Sequence, residues 1–338
     1  MSESANNLRV ILGLMVVGPP DVPGARLTGL DNAKAALDIF QARGHREIDT
    51  ARLYLGGQQE AFTRAAGWKE RGLAVATKSY PVAPGRHEPE VLAATLETSL
   101  KELGTECIFY LHAPRTTPRT APSPSSPTLR ALHLAGQFRR LGLSNFTAFE
   151  ALYNCLFRTI EAELIPACRR YGLAVDAYSP TGGGFLRGAI ASVDGGPARG
   201  GVVRAGPDAA CDPREVLSAP ASSRARAIIR DAAAAAAGIP PLEVAFRWLV
   251  HHSALRGSEE GDGVVVVGFS TLGAAGGQTW MRWRRGPLDG EVLGALERAW
   301  RAARVDAGEY WQMPLVYGYD TREALFGKTG SWGLGICP

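Results

Sequence analysis

A chain of 338 residues with 46% hydrophobic and 21% charged residues can bury a sizeable core, and a net charge of +4 with scattered arginines excludes a basic nucleic-acid surface. No apolar run approaches the roughly 20 residues of a membrane span, and the polar start MSESANNLRV does not read as a secretory leader. Five cysteines (107, 155, 168, 211 and 337) without a C-x-x-C or paired pattern suggest buried thiols of a reducing compartment, so a cytoplasmic location is expected.

The predicted elements alternate along the chain. Residues 8–17 read as a strand, 30–44 as a helix, and a second strand ends at Asp49. A helix over 57–71 precedes a strand at 73–77. A helix over 88–103, with Pro89 in its first turn, precedes a strand at 107–111. A Pro/Ser/Thr-rich loop fills 113–127, then a short helix leads to a strand ending at Ser144. Residues 147–171 read as helical, 173–180 as a strand, and 190–220 as irregular. Helices at 221–237 and 239–252, a strand at 263–270 and a helix at 290–304 complete the pattern, and 305–338 form an aperiodic tail. This alternation predicts a parallel α/β sheet with right-handed helical crossovers in one domain over 1–338. Seven strands are visible where a closed (β/α)8 barrel has eight. The adjacent His251 and His252 diverge by about 100° on a helix and make no metal-ligand pair; no metal is expected.

Four polar residues stand at or just past the ends of successive apolar runs: Asp49 and Tyr54 in EIDTARLY, Lys78 after LAVAT, and His112 after IFYL. Each alone reads as structural: a cap, a half-buried ring, a surface charge, a loop residue. Together at strand ends they suit an open site at the carboxyl edge of a parallel sheet. Lysine is scarce here, with five residues (34, 69, 78, 101 and 328) among 37 Lys+Arg. One placed directly after a strand suggests a need for an ammonium rather than a guanidinium. The chemistry they suit is carbonyl reduction. The alkoxide must be protonated as it forms, and a phenol with pKa near 10 does so better beside an ammonium. Tyr54 is the expected proton donor, Lys78 its modulator, Asp49 the anchor of Lys78, and His112 the group that binds and orients the substrate carbonyl.

The same residues lie within motifs that resemble the aldo-keto reductase family, closest to the aflatoxin-aldehyde reductase branch and its fungal relatives. The motifs include LGLMVVG at 12–18, EIDTARLYLGGQQE at 47–60, VATKSYP at 75–81, LETSLKELG at 96–104, FYLHAP at 109–114, LGLSNF at 141–146, ELIPACRRYGLAVDAYSPTGGGFLRG at 163–188, AFRWLVHHSAL at 245–255 and VVVGFSTL at 265–272. The resemblance implies a TIM barrel that uses NADPH, with Asp49, Tyr54, Lys78 and His112 as its tetrad and Asp49 also near the cofactor. It implies Ser144 and Asn145 at the nicotinamide carboxamide, and Tyr178 stacking on the ring. Ser179, Pro180, Gly182, Gly183, Gly184, Leu186 and Gly188 would lie along the pyrophosphate. Gly268, Ser270, Thr271 and Gln278 would lie at the adenosine 2′-phosphate, where glycine-opened backbone and a Ser/Thr pair before a helix suit phosphate.

The sequence departs from the family pattern in four places. About twenty residues between Ser144-Asn145 and Tyr153-Asn154 are missing, a stretch that carries the fifth helix, the sixth strand and a glutamine toward the nicotinamide. The expectation is therefore a barrel with one βα unit not visible between 144 and 173, its regular part holding helix alone at 147–171. RTTPRTAPSPSSP replaces most of the helix before Phe138, and GAAGG replaces the acidic and amide residues after GFST, with Arg282, Arg284 and Arg285 near enough to take the phosphate. The tail past Trp311 exceeds the family's end. The leading expectation is NADPH-dependent reduction of an aldehyde or ketone, in a fungal secondary-metabolite pathway. The alternatives are a degenerate, non-catalytic relative and a binding module of the channel β-subunit kind.

Overall fold

The computed structural model describes residues 8–79, 89–113, 125–143, 149–182, 186, 227, 239–257, 263–274 and 285–304. In chain order the strands are β1 (Arg9–Gly13), β2 (Val17–Gly18), β3 (Leu27–Thr28), β4 (Glu47–Asp49), β5 (Ala74–Lys78), β6 (Ile108–Ala113), β7 (Phe138–Leu143), β8 (Phe149–Leu152), β9 (Val175–Tyr178) and β10 (Gly263–Gly268). The helices are α1 (Leu30–Gln41), α2 (Gln59–Ala65), α3 (Pro89–Leu103), α4 (Ser125–Leu134), α5 (Leu164–Arg170), α6 (Pro241–His251) and α7 (Gly290–Ala303), with short 3-10 turns at Tyr54–Gly57 and Thr159–Glu161. Strands β2 and β3 form a small separate ladder.

The main sheet has eight strands in the order β7-β6-β5-β4-β1-β10-β9-β8, every pair parallel. Strands β1, β4, β5 and β9 alternate faces, as the two-residue period requires. Val10, Leu12, Ile48, Val75 and Val175 are buried toward the helices. Helices α1 and α7 each meet the core with one stripe. On α1 it is Ala33, Ala36, Leu37 and Phe40; on α7 it is Val292, Ala295, Leu296, Ala299 and Ala303. Helix α7 opens on Asp289, whose carboxylate accepts from Val292 N at 2.9 Å.

Residues 147–171 are not helix alone, and the expected count of seven strands is corrected to eight. Phe149–Leu152 pair with Val175–Tyr178 in register, Glu150 opposite Asp176 and Leu152 opposite Tyr178. Among the described residues of this stretch, helix is confined to a 3-10 turn at 159–161 and to α5. The glutamic acid, alanine and leucine of FEAL are good helix formers. Pairing with β9, a non-local term, overrides that local preference. The residues after the strand secure it. Tyr153 is fully buried, meets Trp248 of α6 edge-on at 5.5 Å and donates to Glu161 at 2.6 Å. Asn154 Nδ2 donates to Ser179 O at 3.1 Å, tying β8 to the end of β9.

Between β7 and β8 stand only residues 144–148. A parallel helical crossover needs a dozen or more residues, so it is the fifth crossover helix, not the strand, that the missing stretch removes. Among the described residues β7 and β8 are the two ends of the hydrogen-bonded order, which places the seam there rather than beside β9. The architecture is that of a (β/α)8 barrel with its fifth crossover shortened to a link. Other boundaries move by a few residues, and α2 stops at Ala65 instead of 71, before Gly67 at φ +77°. The expected helix at 221–237, save Ala227, and the tail 305–338 lie outside the described residues. Among the described residues no helix is long and apolar enough to cross a membrane.

Candidate active site

The register of the strands sets the site. Gly13, Asp49 and Ala76 are level across β1, β4 and β5; two residues further along, Lys78 is level with His112 and Gly142. Asp49 and Lys78 therefore emerge from adjacent strands at the carboxyl edge, on the face shared by alternate residues. Both are buried, at 3% and 6% exposure. Lys78 Nζ donates to both carboxylate oxygens of Asp49, to Thr50 O at 3.2 Å and to Tyr54 Oη at 3.2 Å. The ammonium also lies 5.2 Å from the centre of the Tyr54 ring. Its three protons are thus committed to a carboxylate, a carbonyl and a phenol. Burial raises the Asp49 carboxyl from its ordinary value, against the opposing pull of Lys78 and a hydrogen bond from Tyr54.

Tyr54 reaches this position through a turn with unusual backbone. Leu55 has φ +52°, and Gly56 and Gly57 follow at +65° and +88°. A buried leucine in the left-handed region costs on the order of 1 kcal/mol or more and persists where its surroundings over-determine it. Here Leu55 packs against Gly18, where an added Cβ would collide with it. At Gly57 a Cβ would come within 2.8 Å of Arg52 Nη2. The backbone N–H of Arg52 donates to Lys78 O at 3.4 Å, which ties the turn to the end of β5.

Asp49, Tyr54 and Lys78 are therefore brought together by their side chains. His112 is described by its backbone alone, level with Lys78. Of the residues expected around a cofactor, Ser144, Asn145, Gly183, Gly184, Gly188 and Gln278 lie outside the described residues, as do Arg282 and Arg284. Tyr178 ends β9, and Ser179 follows in the left-handed region at φ +54°. A turn closes through Gly182 N to Ser179 O at 2.9 Å, and Leu186 N donates to Thr181 O at 3.2 Å; Pro180 lies within it, buried. Gly268 ends β10 level with Gly13, so two strand ends beside Asp49 carry no side chain. Ser270 precedes Thr271, whose hydroxyl caps the turn that follows by accepting from Ala274 N at 3.2 Å. Arg285 Nη1 is 3.4 Å from Glu243 Oε2.

Two groups of residues were not singled out in the sequence. Glu60, fully buried at the start of α2, accepts from Arg52, Thr77 and Ser99. Its sequence signal was an acid opening a helix, which reads as a surface residue. Asp176, on β9, is 2% exposed and its Oδ1 makes no hydrogen bond. It borders a cavity of about 10 Å³ shared with Ile11, Glu47, Ala74, Ala76 and Phe109. Burial pushes the Asp176 carboxyl up to about 7; Arg9 and Lys78 pull it down, and Asp49 and Glu47 add to the rise. An aspartate inside a short apolar strand was the available signal.

Comparison with known proteins agrees with this geometry. The model of the aldo/keto reductase family matches residues 9–276. An aldo-keto reductase of Pseudocercospora fijiensis is 32% identical over 309 residues, spanning 81% of this chain and 99% of that protein. Aflatoxin B1 aldehyde reductase member 2 of Homo sapiens is 31% identical over 336 residues, 89% of each chain. Among solved structures, the glycerol dehydrogenase of Gluconobacter oxydans matches the fold with a TM-score of 0.62 at 22% identity, covering 88% of this chain and 95% of that one. An aldo-keto reductase from Klebsiella pneumoniae in complex with NADPH matches at 0.59 and 20% identity over the same shares. With its barrel strands, its strand-end cluster and these relatives, the chain belongs to the aldo/keto reductase family.

Proposed function

We propose that this protein reduces an aldehyde or ketone to the alcohol with NADPH, using Tyr54 as the acid. The observation that carries the reading is the cluster of buried Asp49 and Lys78 with half-buried Tyr54 at the carboxyl edge of the barrel. When bound, NADPH would supply a hydride, one proton with two electrons, to the carbonyl carbon. The chain supplies the proton. As negative charge grows on the carbonyl oxygen, Tyr54 gives up its phenolic hydrogen to it, and the O–H bond of the alcohol forms as that of the phenol breaks. The phenolate left behind is held by the Lys78 ammonium at 3.2 Å. Asp49 keeps that ammonium charged and fixed in a site where an unpaired charge would be costly. His112, level with Lys78, orients the carbonyl oxygen and binds the substrate.

The residues present fit the cofactor. Gly268 leaves the end of β10 bare beside Gly13, where an added Cβ would meet only Gly13 O at 3.6 Å, and this suits the close approach of a flat ring. Tyr178 would stack on that ring, and Ser144 and Asn145 would meet the carboxamide. Ser179, Pro180, Gly182, Gly183, Gly184, Leu186 and Gly188 would follow the pyrophosphate; Ser270, Thr271 and Gln278 would face the 2′-phosphate. NADPH is the nucleotide named in the Klebsiella pneumoniae structure. A cytoplasmic setting suits Cys107, Cys155 and Cys168, which are thiols and not disulfide-bonded. A place in a fungal secondary-metabolite pathway rests on the motif resemblance, while the Pseudocercospora fijiensis and human relatives, at 32% and 31% identity, support the reaction class. The test is consumption of NADPH with a panel of aromatic and aliphatic aldehydes, followed at 340 nm. Turnover that requires both partners supports the reading, and none with any aldehyde at saturating NADPH sinks it.

A further inference from the structure

Thr77 and Lys78 are neighbours on β5 and project to opposite faces of the sheet. Lys78 faces the cluster; Thr77 faces α2, where its hydroxyl donates to Glu60 Oε1 at 2.6 Å. The other carboxylate oxygen of Glu60 accepts from Arg52 Nη1 at 3.0 Å and from Ser99 Oγ of α3 at 3.1 Å. Arg52 stands two residues before Tyr54, is paired on its outer side with Glu102, and hydrogen-bonds through its backbone to Lys78 O. A single fully buried carboxylate thus holds the strand that carries Lys78, the turn that carries Tyr54, and the helix behind both. Three donors on two oxygens satisfy it, so rotating any one of them would leave a buried polar group unpaired.

We propose that Glu60 is a positioning residue that sets the Tyr54–Lys78 separation and so the acidity of the Tyr54 phenol. The proposal rests on the reading of Tyr54 as the acid, and its test is made in cofactor-free protein as well as in turnover. Loosening the network lengthens the ammonium–phenol contact and moves the phenol's titration to higher pH. Removing a nearby anion acts with the opposite sign, because a less negative surrounding favours phenolate. The direction of the shift in Glu60→Gln therefore separates geometry from charge. Thr77→Val, close in shape and neutral, takes one donor from Glu60 while keeping its carboxylate in place.

The experiment is a pH titration of 13Cζ-labelled tyrosine by NMR, with the Tyr54 signal assigned by its absence in Tyr54→Phe. Folding is checked by circular dichroism and thermal melting. Expected are upward shifts in both variants, larger in Glu60→Gln, and kcat reduced about 10-fold in Glu60→Gln, well within what a small misplacement costs. KM for NADPH should stay near wild type. A Tyr54 titration that is unmoved or moved downward in a folded Glu60→Gln, or unmoved in Thr77→Val, overturns the proposal. If Glu60→Gln does not fold, Thr77→Val decides. Wild-type protein that reduces no aldehyde but shows the shifts sinks the reductase reading and keeps the positioning. Wild-type turnover with no shifts sinks the positioning alone.

Discussion

The Lys78 ammonium lies 3.2 Å from the Tyr54 phenol oxygen while donating to both oxygens of Asp49, so one buried cation joins an acid to its counter-charge. The arrangement depends on neighbouring parallel strands in register and on the short turn at Tyr54–Gly57, which follows the end of β4.

Replacing Lys78 with methionine keeps length and removes the charge. The reductase reading predicts a fall in kcat of about 100-fold or more, within the range for general-acid catalysis. The residual rate of alcohol oxidation with NADP⁺ should rise with pH at a higher value than in wild type, because a phenol without its ammonium is a weaker acid. Steady-state rates across pH 6–11 check both.

Asp49→Ala leaves the Lys78 ammonium buried without its carboxylate. Loss of one partner of a buried pair costs about 3–5 kcal/mol, read as a lowered urea midpoint. The double variant Asp49→Ala/Lys78→Met should lose clearly less than the sum of the two single changes, because it strands no charge. Additive losses would mean that the pair contributes nothing as a pair.

Asp176 gives the fold a pH dependence of its own. Its folded pKa of about 7 stands above the ordinary 3.8, so between those values the folded protein binds more proton than the unfolded chain. The contribution is therefore largest at low pH and is lost as pH rises from about 4 to 7. Asp176→Asn should flatten that slope and be more stable relative to wild type at pH 8 than at pH 5, by on the order of 2–4 kcal/mol. Denaturant midpoints at the two pH values test it.

With all eight strands present, the shortened fifth crossover should not prevent cofactor binding. NADPH at a hundredfold excess over its Kd should stabilise the fold by about 2.7 kcal/mol, seen as a rising Tm. A Tm indifferent to NADPH would point to a damaged site.

Much of this was legible in the sequence because local signals and tertiary demand agreed. Asp49, Lys78 and His112 each close an apolar run, and the strands ended where expected to within a few residues. Strand β8 was not legible: four residues of helix-forming composition acquire strand geometry only from Val175–Tyr178, more than twenty residues away. Glu60 was equally hidden, since nothing local shows that a helix-opening acid faces Thr77 across seventeen positions. Asp176 read as an ordinary strand residue because the inward face of β9 follows from its pairing and not from its neighbours.

The most direct test of the account is Tyr54→Phe. The change removes one oxygen from a ring whose packing is kept, so NADPH affinity by fluorescence titration should stay within about twofold while carbonyl reduction falls by about 100-fold or more, the loss expected when a proton donor is removed. A variant that keeps more than about a tenth of wild-type kcat, with NADPH bound as before, would contradict Tyr54 as the acid and with it the central claim.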